Sequence, residues 1–196
     1  MPNWCYTTYK IVGDGAQLSK IKDMLDELNG MKEPRVENGF GKLWLGCIVD
    51  YLGGDWEKVT CRGSVEQYEM YDDCLRLDCE VAWAESPEFR HFVEDKFPEI
   101  KIYHYSEEPG MAGYWTNDTT GKYFPDKYYL DSCHPDIDTE YFYDIEEAAN
   151  YINSHNIEGL HVEPDFKSIS DAIDDYVEEH GEDNWMAFHE IEAIED

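Results

Sequence analysis

Leu75-Arg76-Leu77-Asp78-Cys79-Glu80-Val81-Ala82-Trp83 is the stretch whose reading decides the fold class. Successive side chains of an extended chain point to opposite faces, so Leu75, Leu77, Cys79, Val81 and Trp83 share one side. Arg76, Asp78 and Glu80 take the other, which predicts a half-buried strand. Downstream, Ser86-Pro87-Glu88 reads as a helix start, with Ser as N-cap, Pro at the first helical position and an acid in the first turn. Phe89, Phe92, Val93 and Phe97 form its apolar stripe, and Pro98 ends it. Residues 100–105, Ile-Lys-Ile-Tyr-His-Tyr, then read as a strand.

Upstream, residues 4–12 are aromatic and β-branched and predict another strand. Gly13-Asp14-Gly15 turns the chain into a helix over 16–28, whose Leu18, Ile21, Leu25 and Leu28 recur at helical spacing before Asn29-Gly30. Residues 59–70 read as extended, and the apolar patch 43–52 fits helix or strand. The resulting order, β-α-β-β-α-β, predicts an α+β, ferredoxin-like sheet. Two further strands, at 112–117 and 122–130 around the turn residues Asn117 to Gly121, are expected to extend it by a hairpin.

The chain has 196 residues, with 45 acids against 15 bases, a formal charge of −30 and 15% aromatics. That length fits one domain, here 1–139, with an appendage at 140–196 packed on the same core. The appendage holds 18 acids and one base, Lys167. Its pattern predicts an αβαβ segment: helix 145–154, an extended piece at 160–163, helix 167–180 and strand 184–191. Ser168-x-x-Asp171 reads as a capping box with Asp in place of Glu. In the second helix Ile169, Ala172, Ile173, Tyr176 and Val177 share one face. Asp171, Asp174, Asp175, Glu178 and Glu182 lie opposite.

Several tracts carry a family resemblance. Met1-Pro2-Asn3-Trp4-Cys5 before a strand, Ala82-Trp83-x-x-Ser86-Pro87 before a helix closing on Phe97-Pro98, and Tyr105-Ser106-Glu107-Glu108-Pro109-Gly110-Met111-Ala112-Gly113 resemble the YubB-like family of small plasmid, phage and bacterial proteins. The resemblance covers roughly residues 1–130. It implies a ferredoxin-like domain carried by a mobile element or a bacterium, and it assigns no catalytic residue. Where the family carries a Trp-Gly-Thr-Lys-Trp tract, this chain has Arg62-Gly63-Ser64-Val65-Glu66.

The charge excludes unaided binding to nucleic acid or an anionic membrane. The start lacks the basic and apolar regions of a signal peptide, and no apolar run reaches the roughly 20 residues of a membrane span, so a cytoplasmic protein is expected. The six cysteines form no C-x-x-C and read as free thiols. His134-Pro135-Asp136-Ile137-Asp138 reads as a solvated acidic loop rather than a metal site, and no cofactor or metal is expected. Gly13-Asp14-Gly15 lacks a phosphate-loop pattern.

Two functional expectations remain. The acidic surface points to a non-enzymatic interaction with a basic or nucleic-acid-binding protein, as a DNA mimic, through Asp171, Asp174, Asp175, Glu178 and Glu182. The alternative is a small-molecule or hydrolytic pocket near Trp83, Glu107 and Trp115, lined also by His104, Glu108 and Gly110.

Overall fold

The computed structural model describes residues 3–195, with Glu182 described by its backbone alone. Met1 and Pro2, which open the first resembling tract, lie outside the described residues. The chain is α+β and divides into two compact units, Met1–Asp118 and Thr119–Asp196. This division falls ahead of the compositional break at 139/140, and the described residues of each unit contain an apolar cluster.

The first unit begins with strand β1 (Trp4–Gly13) and helix α1 (Gly15–Gly30), capped by the Asp14 carboxylate on the Gln17 amide. The undecided patch is helical: α2 spans Leu45–Tyr51. Then come β2 (Gly63–Met70), β3 (Leu75–Ala82), α3 (Pro87–Lys96), β4 (Ile100–Glu108) and, after a 3-10 turn, β5 (Gly113–Thr116). Within this unit the strands lie in the order β2-β3-β1-β4-β5, every neighbour antiparallel. Alternation on β3 buries Leu75, Leu77, Cys79 and Val81 as expected. On that face α1 packs Leu18, Ile21, Leu25 and Leu28, α2 packs Leu45, Ile48 and Val49, and α3 packs Phe89 and Val93. Each fully buried Leu or Ile contributes roughly 1.5–3 kcal/mol of apolar transfer free energy.

Trp83 departs from the alternation. Its φ is +73° and the residue is 49% exposed, because the strand ends at Ala82 and the chain turns there. Ser86 holds the N-cap position of α3 but its side chain makes no capping bond.

The second unit contains β6 (Tyr128–Ser132), β7 (Glu140–Phe142), α4 (Ile145–Ser154), α5 (Phe166–His180) and β8 (Met186–Glu190). The sheet order is β7-β6-β8, antiparallel. Four expectations are corrected here. The hairpin does not form: β5 pairs with β4, whereas β6 pairs with β7 and β8. Asn117 and Asp118 are buried rather than turning in solvent, and Asn117 binds the backbone of His104 and Ile102. No strand forms at 160–163, where Asn153 takes both the Val162 amide and its carbonyl while Leu160 and Val162 are buried. The capping box at Ser168 is replaced by Asp165, whose carboxylate accepts the Ser168 amide one turn earlier. Among the described residues no helix is long and apolar enough to cross a membrane.

Candidate functional site

Helix α5 buries Ile169, Ile173 and Tyr176 and exposes Asp171, Asp174, Asp175 and Glu178, as its periodicity dictates. Glu179 is exposed as well. Lys167 pairs with Asp171 one turn away, so one of these acids is partly neutralised. Glu182 is not part of this face: α5 ends at His180, Gly181 caps it, and the Glu182 backbone starts a 3-10 turn, its side chain lying outside the described residues. The unit from Thr119 onward carries 22 acids against 3 bases. At about 1.5 Å rise per residue, the acids from Asp171 to Glu179 fall within roughly 12 Å of helix. That gives about one charge per 2.4 Å, comparable to the duplex value of about 1.7 Å.

Of the six residues of the alternative pocket, four lie on β4 and β5 and divide between the two faces of the first sheet, while Trp83 and Gly110 lie beyond strand ends. His104 and Glu108 point to the helix-covered face, and Trp115 stands across from Ser106 between them. Glu107 points to the opposite face, across from Tyr6 and Tyr114. Trp83 follows the end of β3, where its amide binds the Asn3 carbonyl. Gly110 lies so close to Asn3 and Glu108 that a Cβ there would come within 2.9 Å of both side chains.

His104 belongs instead to a buried polar network that the sequence reading missed. Glu85 Oε1 accepts from Tyr9 Oη at 2.9 Å and from Arg90 Nε at 3.1 Å. His104 Nε2 lies 4.0 Å from Glu85 Oε2, and His104 Nδ1 lies 3.0 Å from Ser106 Oγ. Ser106 Oγ meets Thr7 Oγ1 at 3.0 Å, and Thr7 Oγ1 meets Cys5 Sγ at 3.6 Å. Burial pushes the Cys5 thiol up to about 11, the Thr7 hydrogen bond opposes this, and the Glu108 carboxylate adds to it. Burial, then the Glu85 charge, raises Tyr9 as well. Serine, histidine and glutamate are the residue types of a nucleophile relay. Here the His–Glu separation exceeds a hydrogen bond, and Ser106 and His104 are both fully buried. A network closed to solvent offers no route to a substrate, and its physical effect is to fix the β1–β4 register. Its sequence signal was the pair Glu85 and Arg90 flanking a helix start, five residues apart.

The loop 134–138 divides by position. His134 is buried against the Tyr176 hydroxyl at 3.1 Å and accepts the Asp136 amide, whereas Asp136 and Asp138 are exposed around the buried Ile137. Among the described residues no three His, Cys, Asp or Glu side chains are grouped to hold a metal ion. The six cysteines are free, with Cys133 exposed. Open depressions on the first unit include one of about 330 Å³ lined by Tyr6, Thr8, Asp78 and Glu80, and one of about 540 Å³ beside β2. Comparison of the chain with family models, curated proteins and solved structures finds no match in any of the three.

Proposed function

We propose that this chain is a non-enzymatic interaction protein whose acidic second unit engages a basic or nucleic-acid-binding protein as a DNA mimic. The observation that carries the reading is the exposed acidic face of α5, on an ordered helix anchored by Ile169, Ile173 and Tyr176. A rigid row of carboxylates presents charge to a basic groove without the ordering cost that a flexible acidic tail pays. The first unit is read as ferredoxin-like, resembling the YubB-like family. Its strand order β2-β3-β1-β4 and its antiparallel pairing support that reading. The family resemblance also supports a mobile-element setting, in which DNA-binding defence proteins are natural partners.

The test is competition. Proteins captured by this chain from nuclease-treated bacterial lysate at low salt are challenged with duplex DNA. One DNA-binding protein released by DNA and by high salt, and not captured by an Asp171→Asn/Asp174→Asn/Asp175→Asn/Glu178→Gln variant, is the expected result. Capture unaffected by the four substitutions, or indiscriminate capture of basic proteins, would overturn it.

A further inference from the structure

Strand β2 ends the order β2-β3-β1-β4-β5 on one side and presents an outer edge. Which backbone groups face outward follows from the pairing. The Ala82 amide donates to the Arg62 carbonyl, so Ala82, Glu80, Asp78 and Arg76 turn their amides toward β2. Their partners Ser64, Gln67 and Glu69 spend theirs on β3. A bulge at Glu66 shifts the register between Val65 and Gln67. The other paired residues, Gly63, Val65, Tyr68 and Met70, therefore turn their amides away. The Val65 amide is taken by the Leu43 carbonyl. Among the described residues, nothing on the backbone takes those of Tyr68 and Met70.

That open half of the edge runs through the groove of about 540 Å³, which is lined from both sides of β2: Asn29, Leu43 and Tyr68 on the helix side, Gln67, Glu69 and Asp78 on the other. The chain from Gly63 to Leu75 holds four acids, Glu66, Glu69, Asp72 and Asp73, and no base; all four are exposed. Nearby cations are engaged: Arg76 pairs with Asp78, Lys22 with Asp26, and Lys42 binds the Asn29 carbonyl. Exposed edges are commonly blunted with lysine. An edge flanked by glutamate and aspartate instead repels a second copy of a chain carrying −30 and favours a strand of opposite charge.

We infer that the outer edge of β2 at Tyr68 and Met70 accepts a basic extended segment of another protein as an added strand. Backbone hydrogen bonds to Tyr68 and Met70 would supply affinity, and Glu66 and Glu69 would select lysine- or arginine-bearing segments. This does not rest on the α5 reading, since it concerns the other unit.

The probe is a fluorescent eight-residue peptide of alternating lysine and valine, compared with the same peptide carrying a methyl group on every backbone amide. Charge is identical in the two. Fluorescence anisotropy at about 50 mM salt is expected to show binding of the first and about tenfold weaker binding of the second. Glu66→Lys/Glu69→Lys should weaken the first by a similar factor with an unchanged circular dichroism spectrum. Met70→Pro removes an outward amide while leaving the β3 ladder intact, and should do the same. The α5 quadruple variant should bind the peptide normally, which separates failure of this inference from failure of the α5 reading. Equal binding of the methylated peptide, no binding of the unmethylated one, or a concentration-dependent dimer lost in Met70→Pro would each overturn the proposal.

Discussion

Glu85 and Arg90 form an ion pair at 3.1 Å with both side chains almost wholly removed from solvent, where the chain leaves β3 and enters α3. The same carboxylate oxygen accepts the Tyr9 hydroxyl from β1, so three elements converge on one buried charge. Desolvation makes such a pair a modest net contributor, yet removing one partner strands the other. Arg90→Met is expected to cost about 3–5 kcal/mol in urea unfolding at neutral pH. The double variant Arg90→Met/Glu85→Gln should recover a large part of that loss. If the double variant were as unstable as the sum of the singles, the two side chains would not be coupled.

How far this core was legible in the sequence depends on residue type. The β3 alternation from Leu75 to Val81 and the apolar stripe of α5 were readable, because a strand or helix with one wet face writes its period into the chain. The buried network was not. His104, Ser106, Thr7 and Glu85 are polar at positions that pattern reading assigns to surface or pocket, and only tertiary packing tells that they are enclosed. The fate of β6 was equally hidden. A strand beside turn residues looks like half of a hairpin whichever sheet it joins, and its pairing with β8 bridges more than 50 residues of sequence. The 43–52 patch lacked a period because α2 is buried over Leu45 to Val49, leaving no polar face to mark the helix.

Alkaline pH should destabilise the protein through its thiols. An unfolded cysteine titrates near 9.0, whereas burial holds Cys5 and Cys61 near 11 in the folded chain, and Cys79 is also pushed well up. Above pH 9 the unfolded chain therefore loses protons that the folded chain keeps. The stabilising effect is complete below pH 9 and is lost as pH rises through about 11. The urea midpoint should fall over that window, and a Cys5→Ser/Cys61→Ser variant should show a shallower fall. Thiol labelling at pH 8 should modify exposed Cys133 rapidly and the buried thiols only on unfolding.

Gly13 joins β1 to α1 at φ +135°, and a Cβ there would lie 2.2 Å from the Glu99 carbonyl oxygen. That carbonyl also accepts the Asp14 amide at 3.0 Å, so it cannot withdraw without breaking the bond beside the helix cap. Gly13→Ala combines left-handed strain with backbone collision. A loss of about 1–3 kcal/mol is expected in thermal or urea unfolding. The control is Gly15→Ala, where a Cβ meets nothing within 4 Å and which should be close to neutral. Equal stabilities of the two variants would contradict the geometry.

The α5 face carries its own stability signature. Glu178 and Glu179 sit in the last turn, where the negative end of the helix dipole disfavours acids, and Asp174 and Asp175 precede them on the exposed side. Glu178→Gln/Glu179→Gln is therefore expected to stabilise the protein, by about 0.3–1 kcal/mol per site at low ionic strength. The gain should shrink as salt is raised, because the Debye length falls to about 8 Å at physiological ionic strength and screens the repulsion in the parent chain. The parent should accordingly melt higher with added salt, the variant less so. If the double substitution left the melting temperature and its salt dependence unchanged, these carboxylates would exert no mutual strain, and the dense, ordered charge required of a DNA mimic would be absent from α5.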